Sequence, residues 1–352
     1  SMQLTTVKAA EVHVTERYKT SSSIGINIEA EASVTRVQAA IVAGSEKDPN
    51  INYTEYVQKH SVCDAKGSYT LAFDFLKPES IYTIYVLAYD ENGLPTGLKS
   101  LTCSTGAVAD DPFTVTTTHV GTTTLKYNVT AKDASVKYCT FATGYDYYQR
   151  WQLEEGTNGD VIKHFISMWS TFASWYGENW QTMMKYDRRE GTYEGDGNHL
   201  MWDARQVVIT FGMDDDGNLV TPIQVDSIHT NAPTPVDMDI PLTVLSNEWG
   251  DQQIKAAPTT NTPYFITMQP AAYVDLYKTD AALLRALCYE ADNINPTDLA
   301  RTRDEDLREG LWEFRVRKDV DTDYYIIAVG LDEGAPATRA FKTKITVPGG
   351  SF

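Results

Sequence analysis

The chain has 352 residues, 42% of them hydrophobic, and a formal net charge of −18. That length suggests two or three domains at ~100–200 residues each, and the apolar fraction is that of a globular chain rather than a disordered one. The negative charge repels phosphates and so excludes nucleic acid and anionic lipid surfaces as partners, and no apolar run reaches the ~18–20 residues of a membrane helix. Ser1-Met2 reads as an added dipeptide ahead of a truncated start, so a missing signal peptide says nothing about localisation.

In chain order, Glu11 to Glu16 and Ser23 to Ala30 alternate weakly between apolar and polar residues, and Arg36 to Ala43 is a third strand candidate. The turn signal Lys47-Asp48-Pro49-Asn50 precedes a short helical piece over 53–60. Tyr69 to Phe75 alternates again, Ile81 to Asp90 is an unbroken β-branched and aromatic run closed by Glu91-Asn92-Gly93, and Lys99 to Cys103 is a last strand. About seven strands in roughly 105 residues, with turns at regular intervals, predict a β-sandwich.

The apolar run recurs twice, as Val207 to Asp214 before Asp215-Asp216-Gly217 and as Tyr324 to Asp332 before Glu333-Gly334. Upstream of each copy stands a glycine followed two residues later by an aromatic: Gly67-Ser68-Tyr69, Gly191-Thr192-Tyr193 and Gly310-Leu311-Trp312. Gly67 to Asp90, Gly191 to Asp214 and Gly310 to Asp332 are near-equal intervals between unlike motifs, which marks three copies of one module. The expected boundaries are 1–106, 107–231 and 232–352, with Ala107 to Pro112 and the proline-containing Asn231 to Pro235 as linkers.

The second module opens with the alternating stretches Phe113-x-Val115, Leu125-x-Tyr127-x-Val129 and Val136-x-Tyr138. The third opens in parallel, with Leu242-x-Val244, Trp249-Gly250 matching Val120-Gly121, Ile254 matching Leu125 and Tyr264 matching Tyr138. Both enlarge one crossover, over 143–190 and 269–309. In the first of these, Val161, Phe165, Trp169, Phe172 and Tyr176 recur at helical spacing, with Asp160 as N-cap and Gly177 past the end, which predicts a helix over 160–176. In the second, Thr279 caps a helix from Asp280 to Glu290, and Asn295-Pro296 breaks the chain before a second, charged helix. Helix is expected mainly over 53–60, 160–176 and 273–309.

Leu76-x-Pro78-x-Ser80-x-Tyr82, running into Tyr85 to Asp90 and Gly93, resembles the corner between the fifth and sixth strands of fibronectin type III domains. The resemblance implies that the Tyr82 ring packs in the core while its hydroxyl bonds back to the corner. The second module has Gln206 at that position and needs a different corner; the third keeps Thr322 and Tyr324. Tandem fibronectin III/immunoglobulin-like β-sandwiches with helical crossovers and acidic surfaces resemble the extracellular part of Bacteroidetes-type surface lipoproteins. That resemblance implies export and an outer-membrane lipid anchor upstream, and it implies neither a catalytic signature nor a ligand.

Chemistry-bearing motifs are sparse. The six histidines lack metal spacing, and no GxSxG, Walker or GxGxxG motif is present. His164 falls on the polar flank of the predicted helix and reads as solvent-facing. Asp214-Asp215-Asp216-Gly217-Asn218 fails the calcium-loop spacing and reads as hairpin-turn chemistry. Cys63, Cys103, Cys139 and Cys288 carry no CxxC; Cys63 and Cys103 share a module, yet four free thiols are expected of so cysteine-poor a chain. The sequons at Asn52 and Asn128 are read as inert, and Asp226-Ser227-Ile228 resembles the short O-glycosylation motif of exported Bacteroidetes proteins.

Tryptophan is uneven: five of seven lie at Trp151, Trp169, Trp175, Trp180 and Trp202, with Tyr145, Tyr147, Tyr148, Tyr176 and Tyr186 among them. Such rings either pack the inserted helix onto the sandwich or stack on a sugar face. Trp169 and Trp175 stand about 240° apart around a helix, so both cannot face the core. The sequence therefore points to a non-catalytic cell-surface binding protein for glycan or another surface polymer, needing no cofactor or metal. Trp175, Tyr176, Glu178, Asn179 and Trp180 are its candidate ligand residues. The alternative is a spacer, adhesion or assembly protein whose insertions dock a partner protein.

Overall fold

The computed structural model describes residues 11–246, 252–290, 307–316 and 321–347. The first module runs β1 (Val12–Lys19), β2 (Ile24–Ala30), β3 (Arg36–Ala43), α1 (Tyr53–His60), β4 (Cys63–Ala65), β5 (Tyr69–Phe73), β6 (Ile81–Tyr89) and β7 (Pro95–Ser104). Its strands form two antiparallel sheets, ordered β1-β2-β5 and β4-β3-β6-β7. The second module contributes β8 (Phe113–Val120), β9 (Leu125–Ala131), β10 (Tyr138–Gly144), α2 (Tyr145–Leu153), α3 (Val161–Tyr176), α4 (Trp180–Asp187), β11 (Thr192–Gly197), β12 (Arg205–Gly212) and β13 (Gln224–His229), in sheets β11-β9-β8 and β10-β12-β13. The third has β14 (Leu242–Ser246), β15 (Gln252–Ala256), β16 (Tyr264–Pro270), α5 (Ala271–Val274), α6 (Asp280–Arg285), β17 (Leu307–Arg308), β18 (Trp312–Val316), β19 (Thr322–Asp332), β20 (Ala335–Pro336) and β21 (Phe341–Val347). Here β14-β15-β18 faces a sheet in which β16 and β21 flank β19. The chain is thus mainly β: three fibronectin III-like sandwiches, the second and third carrying helices in a crossover.

The three apolar runs of the sequence are β6, β12 and β19, and their unbroken apolarity has a geometric cause. Alternate residues of a strand face opposite sides, so a strand buried on one side alternates and one buried on both does not. In β6, Tyr82, Ile84, Val86 and Ala88 face the core between the sheets, while Tyr85, Leu87 and Tyr89 pack under α1 with Tyr53 and Val57. Tyr53 and Tyr85 stack at 4.3 Å. In β19, Tyr324, Ile326 and Ala328 join the inter-sheet core, and Ile327, Val329 and Leu331 lie under the helical insertion with Leu283, Leu284 and Leu287. In the second module Val207, Ile209 and Phe211 of β12 meet the insertion.

The repeated glycines share a backbone state. Gly67, Gly191 and Gly310 have φ of 71°, 66° and 66°, the left-handed region that glycine enters without penalty. Two of the carbonyls are also used: the hydroxyls of Tyr138 and Tyr264, the pair aligned from sequence, donate to Gly191 O and Gly310 O, each at 2.9 Å.

The corner before β6 repeats before β12, without glycine. Phe75 and Glu79 have φ of 60° and 48°, and His199 and Asp203, at the equivalent positions, have 55° and 46°. The Tyr82 hydroxyl accepts from Lys77 N at 3.0 Å, closing the corner as the resemblance implies. In the second module Gln206 Nε2 donates to Met201 O at 2.8 Å, the same five-residue reach made by an amide. In these two modules a buried threonine then ties the corner to the end of the last strand. Thr105 Oγ1 donates to Lys77 O (2.6 Å) and accepts from Ser80 N (3.0 Å); Thr230 Oγ1 does the same with Met201 O (2.6 Å) and Ala204 N (3.2 Å).

Three sequence expectations of helix need correction. Helix in the second module is not confined to 160–176, because α2 and α4 flank it. In the third, the expected helix from Asp280 ends its α-helical part at Arg285 and continues as a π turn, Ala286–Glu290. Leu307 and Arg308, placed in the helical crossover, instead pair with β16 as a strand. The charged helix after Asn295-Pro296, and the Trp249-Gly250 match, lie outside the described residues. All four thiols are free, and burial pushes those of Cys63 and Cys103 up to about 11 and that of Cys139 to about 12. The chain forms two compact units: one of Ser1–Thr117, Tyr127–Gly195 and Val207–Ile228, the other of Thr118–Lys126, Asp196–Gln206 and His229–Phe352.

Nothing lies within 4 Å of a Cβ added at Gly191, Gly310 or Gly97, and only the first two have positive φ. Gly191→Ala and Gly310→Ala should each lower stability by about 1–2 kcal/mol, the left-handed penalty for an L-residue, with Gly97→Ala near neutral; denaturant midpoints measure this. A second expectation concerns Asp226, whose carboxyl is pushed up to about 6 by burial and by the charge of Asp111, against a 2.9 Å hydrogen bond from Gln224 Nε2. A raised carboxylate pKa leaves the fold unpenalised at acid pH and destabilises it as pH rises past the ordinary value of 3.8 through about 6. Asp226→Asn should therefore gain roughly 1–3 kcal/mol at pH 8 and nothing below pH ~4, read from melting temperatures across that range.

Candidate functional site

The insertion of the second module begins where β10 runs directly into α2 at Gly144. Asp160 starts α3 as the sequence predicts, its Oδ1 accepting from Ile162 N at 3.1 Å, and Gly177 ends it with φ 70°. Val161, Phe165 and Trp169 turn to the sheet, where Phe165 stacks on Phe141 at 4.3 Å. Trp169 is 1% exposed, and its indole N–H donates to Asp187 Oδ2 at 2.6 Å, so the polar tip of a buried ring is satisfied. His164, expected to face solvent, is instead half-buried: its ring stacks on Trp151 at 4.4 Å and its Nδ1 lies 2.6 Å from Glu154 Oε2.

The candidate ligand residues divide. Trp175 and Tyr176, at the last turn of α3, are 68% and 73% exposed, and Phe172 lies edge-on to Trp175 at 5.2 Å. Glu178 is exposed beside them. Asn179 is committed locally, its Oδ1 capping α4 by accepting from Thr182 N at 2.9 Å. Trp180, expected to face a ligand, is a packing residue: it stacks parallel to Trp169 at 6.3 Å and lies hard against Gly217, where an added Cβ would come within 2.0 Å of its ring. The aspartate run folds as hairpin-turn chemistry. Asp214 Oδ1 accepts from Asp216 N and Asn218 N at 3.0 and 2.8 Å, and Asp215 pairs with Arg188. Among the described residues no group of three or more His, Cys, Asp or Glu could hold a metal ion.

The same insertion grips the first sandwich, a role the sequence reading missed. Strand β5 is an edge strand, and its Thr70 N–H donates to Asn158 O, in the α2–α3 loop, at 2.9 Å. Arg17 pairs with Asp160 Oδ2 at 3.0 Å, so this one carboxylate both caps α3 and anchors β1. Phe75, in the corner, packs edge-on against Tyr145 at 5.1 Å. Gly159 makes the approach possible: an added Cβ would meet Thr70 O at 1.9 Å. The corner of the second module is held in the same fashion, since Trp202 packs into the cluster formed by the third module's insertion. The sequence signal for these grips was an aromatic in each of the two corners, Phe75 and Trp202.

Strand order, the doubly buried strands β6, β12 and β19, and repeated corners define a tandem array of fibronectin III-like sandwiches. No family model and no curated protein matches the chain. Among solved structures it is similar to the central fibronectin-III array of RIM-binding protein (10% identity, 73% of this chain and 82% of that one, TM-score 0.20). It is also similar to the FN1–FN3 domains of chicken CNTN1 (12% identity, 95% and 97%, TM-score 0.21). A shorter match joins 28% of this chain to 20% of the family 28 exopolygalacturonase of Yersinia enterocolitica, at 16% identity and TM-score 0.20.

Gly159 and Gly156 both have positive φ, 82° and 84°, but only Gly159 abuts another chain segment. Gly156→Ala should lose about 1–2 kcal/mol, and Gly159→Ala at least ~2 kcal/mol more through the displaced grip on β5. Thermal unfolding of the two variants side by side measures the difference.

Proposed function

We propose that the chain is a non-catalytic binding protein whose ligand lies on the aromatic rim at the end of α3. The observation that carries this reading is the exposure of Trp175 and Tyr176 on a helix whose inward face is already filled by Phe165 and Trp169. Large exposed aromatics cost solvation and are not needed for packing there, whereas Trp and Tyr dominate binding energies when a partner covers them. Ring faces flanked by Glu178 suit a pyranose, which offers a C–H face to the ring and hydroxyls to the carboxylate. A glycan or similar surface polymer is therefore the favoured ligand, on an exported protein held at the outer membrane by a lipid anchor, as the sequence resemblance implies. The spacer reading draws its support from the grips between neighbouring sandwiches, and the two roles are compatible in one array.

The test uses a panel of plant and mucin polysaccharides with tryptophan fluorescence as readout. Trp175→Ala and Tyr176→Ala should stay within about 0.5 kcal/mol of the parent in stability, as exposed positions do, and lose tenfold or more in affinity. Full affinity in the folded double variant, or no binding across the panel, overturns the reading.

A further inference from the structure

A second site lies away from that rim, where α2 meets the first sandwich. A cleft of about 280 Å³ opens between the β5 side of the sandwich and α2, walled by Leu71, Phe73 and Tyr145, with Asp74 and Tyr148 also lining it. Clefts between packed modules are where small ligands most often bind.

Asp74 is the anomaly. Its Oδ1 accepts from Ser23 Oγ at 2.6 Å, and the Tyr148 hydroxyl also bonds the carboxyl. Among the described residues no lysine or arginine forms an ion pair with it, and no cation figures among the groups that shift its titration. Burial holds its carboxyl above the usual carboxylate range in spite of both hydroxyls. A desolvated carboxylate whose donors are all neutral is costly, and a cation supplied from outside would relieve that cost.

We propose that the cleft binds a small primary ammonium carried on a short apolar body, with the ammonium on Asp74 and the body against Leu71 and Phe73. The chain's charge of −18 favours a cation over an anion at any such opening. The volume limits the occupant to roughly the size of a benzylamine, since liquid-like space is about 30 Å³ per water-sized group. Because sandwich and insertion form opposite walls, an occupant contacts both and stabilises their association.

Benzylamine and benzyl alcohol are the probes, matched in shape and differing in charge. At pH 8, benzylamine at ten times its Kd should raise the melting temperature of the full chain by about 2 °C or more, and the alcohol should not. Asp74→Asn, isosteric and neutral, should abolish the shift. Gln149→Glu, which adds a carboxylate at the exposed side of the same wall, should tighten benzylamine at least twofold by calorimetry, and it decides the matter if Asp74→Asn folds poorly. Equal shifts from amine and alcohol, a shift that survives in folded Asp74→Asn, no shift at all, or unchanged affinity in Gln149→Glu each overturn the proposal.

Discussion

A strand that is apolar on both faces must be covered on both faces, and this requirement organises all three modules. Opposing sheets supply one cover. In an ordinary sandwich the other face of the sixth strand meets water; here Tyr85, Leu87 and Tyr89 in β6, and Ile327, Val329 and Leu331 in β19, would be left bare. The eight-residue α1 and the longer insertions are the second cover. Their first task is therefore structural, and the burial of Phe165 and Trp169 offsets much of the entropy of ordering the added chain.

The insertion of the second module does more than cover. A sheet edge presents unpaired amides, and proteins blunt such edges with loops or charges. The Asn158 carbonyl on Thr70 N–H does this for β5, while Asp160 and Tyr145 bring charge and apolar contact to the same seam. One stretch thus roofs its own sandwich and holds its neighbour, while Trp175 and Tyr176 at the end of α3 stay exposed. That division separates Trp175 and Tyr176 from Trp180, which sequence spacing placed together.

The fold was largely legible because its strongest signals are local. Glycines needing left-handed φ recur at fixed places, the doubly buried strands read as unbroken apolar runs, and α3 carries its cap and stop in sequence. What escaped notice depends on partners distant in the chain. Tyr145 to Leu153 is an aromatic-rich segment of middling helix propensity, made helical by packing on Phe75 and Phe165 through Tyr145 and Trp151. His164 looked polar until Trp151 covered it, and Trp180 looked free until Trp169 and Gly217 enclosed it. The left-handed residues Phe75, Glu79, His199 and Asp203 carry no glycine to announce them, since corner hydrogen bonds impose that conformation.

The second module both grips and is gripped: its insertion holds the corner at Phe75, and its own corner offers Trp202. Each half of the joint is thus encoded within a single module rather than shared between two. Tandem duplication of such a unit copies latch and keeper together, so a lengthened array inherits its couplings without any new residue having to arise. Divergence can then act on parts the coupling does not use, such as the exposed last turn of α3, while the array keeps its joints.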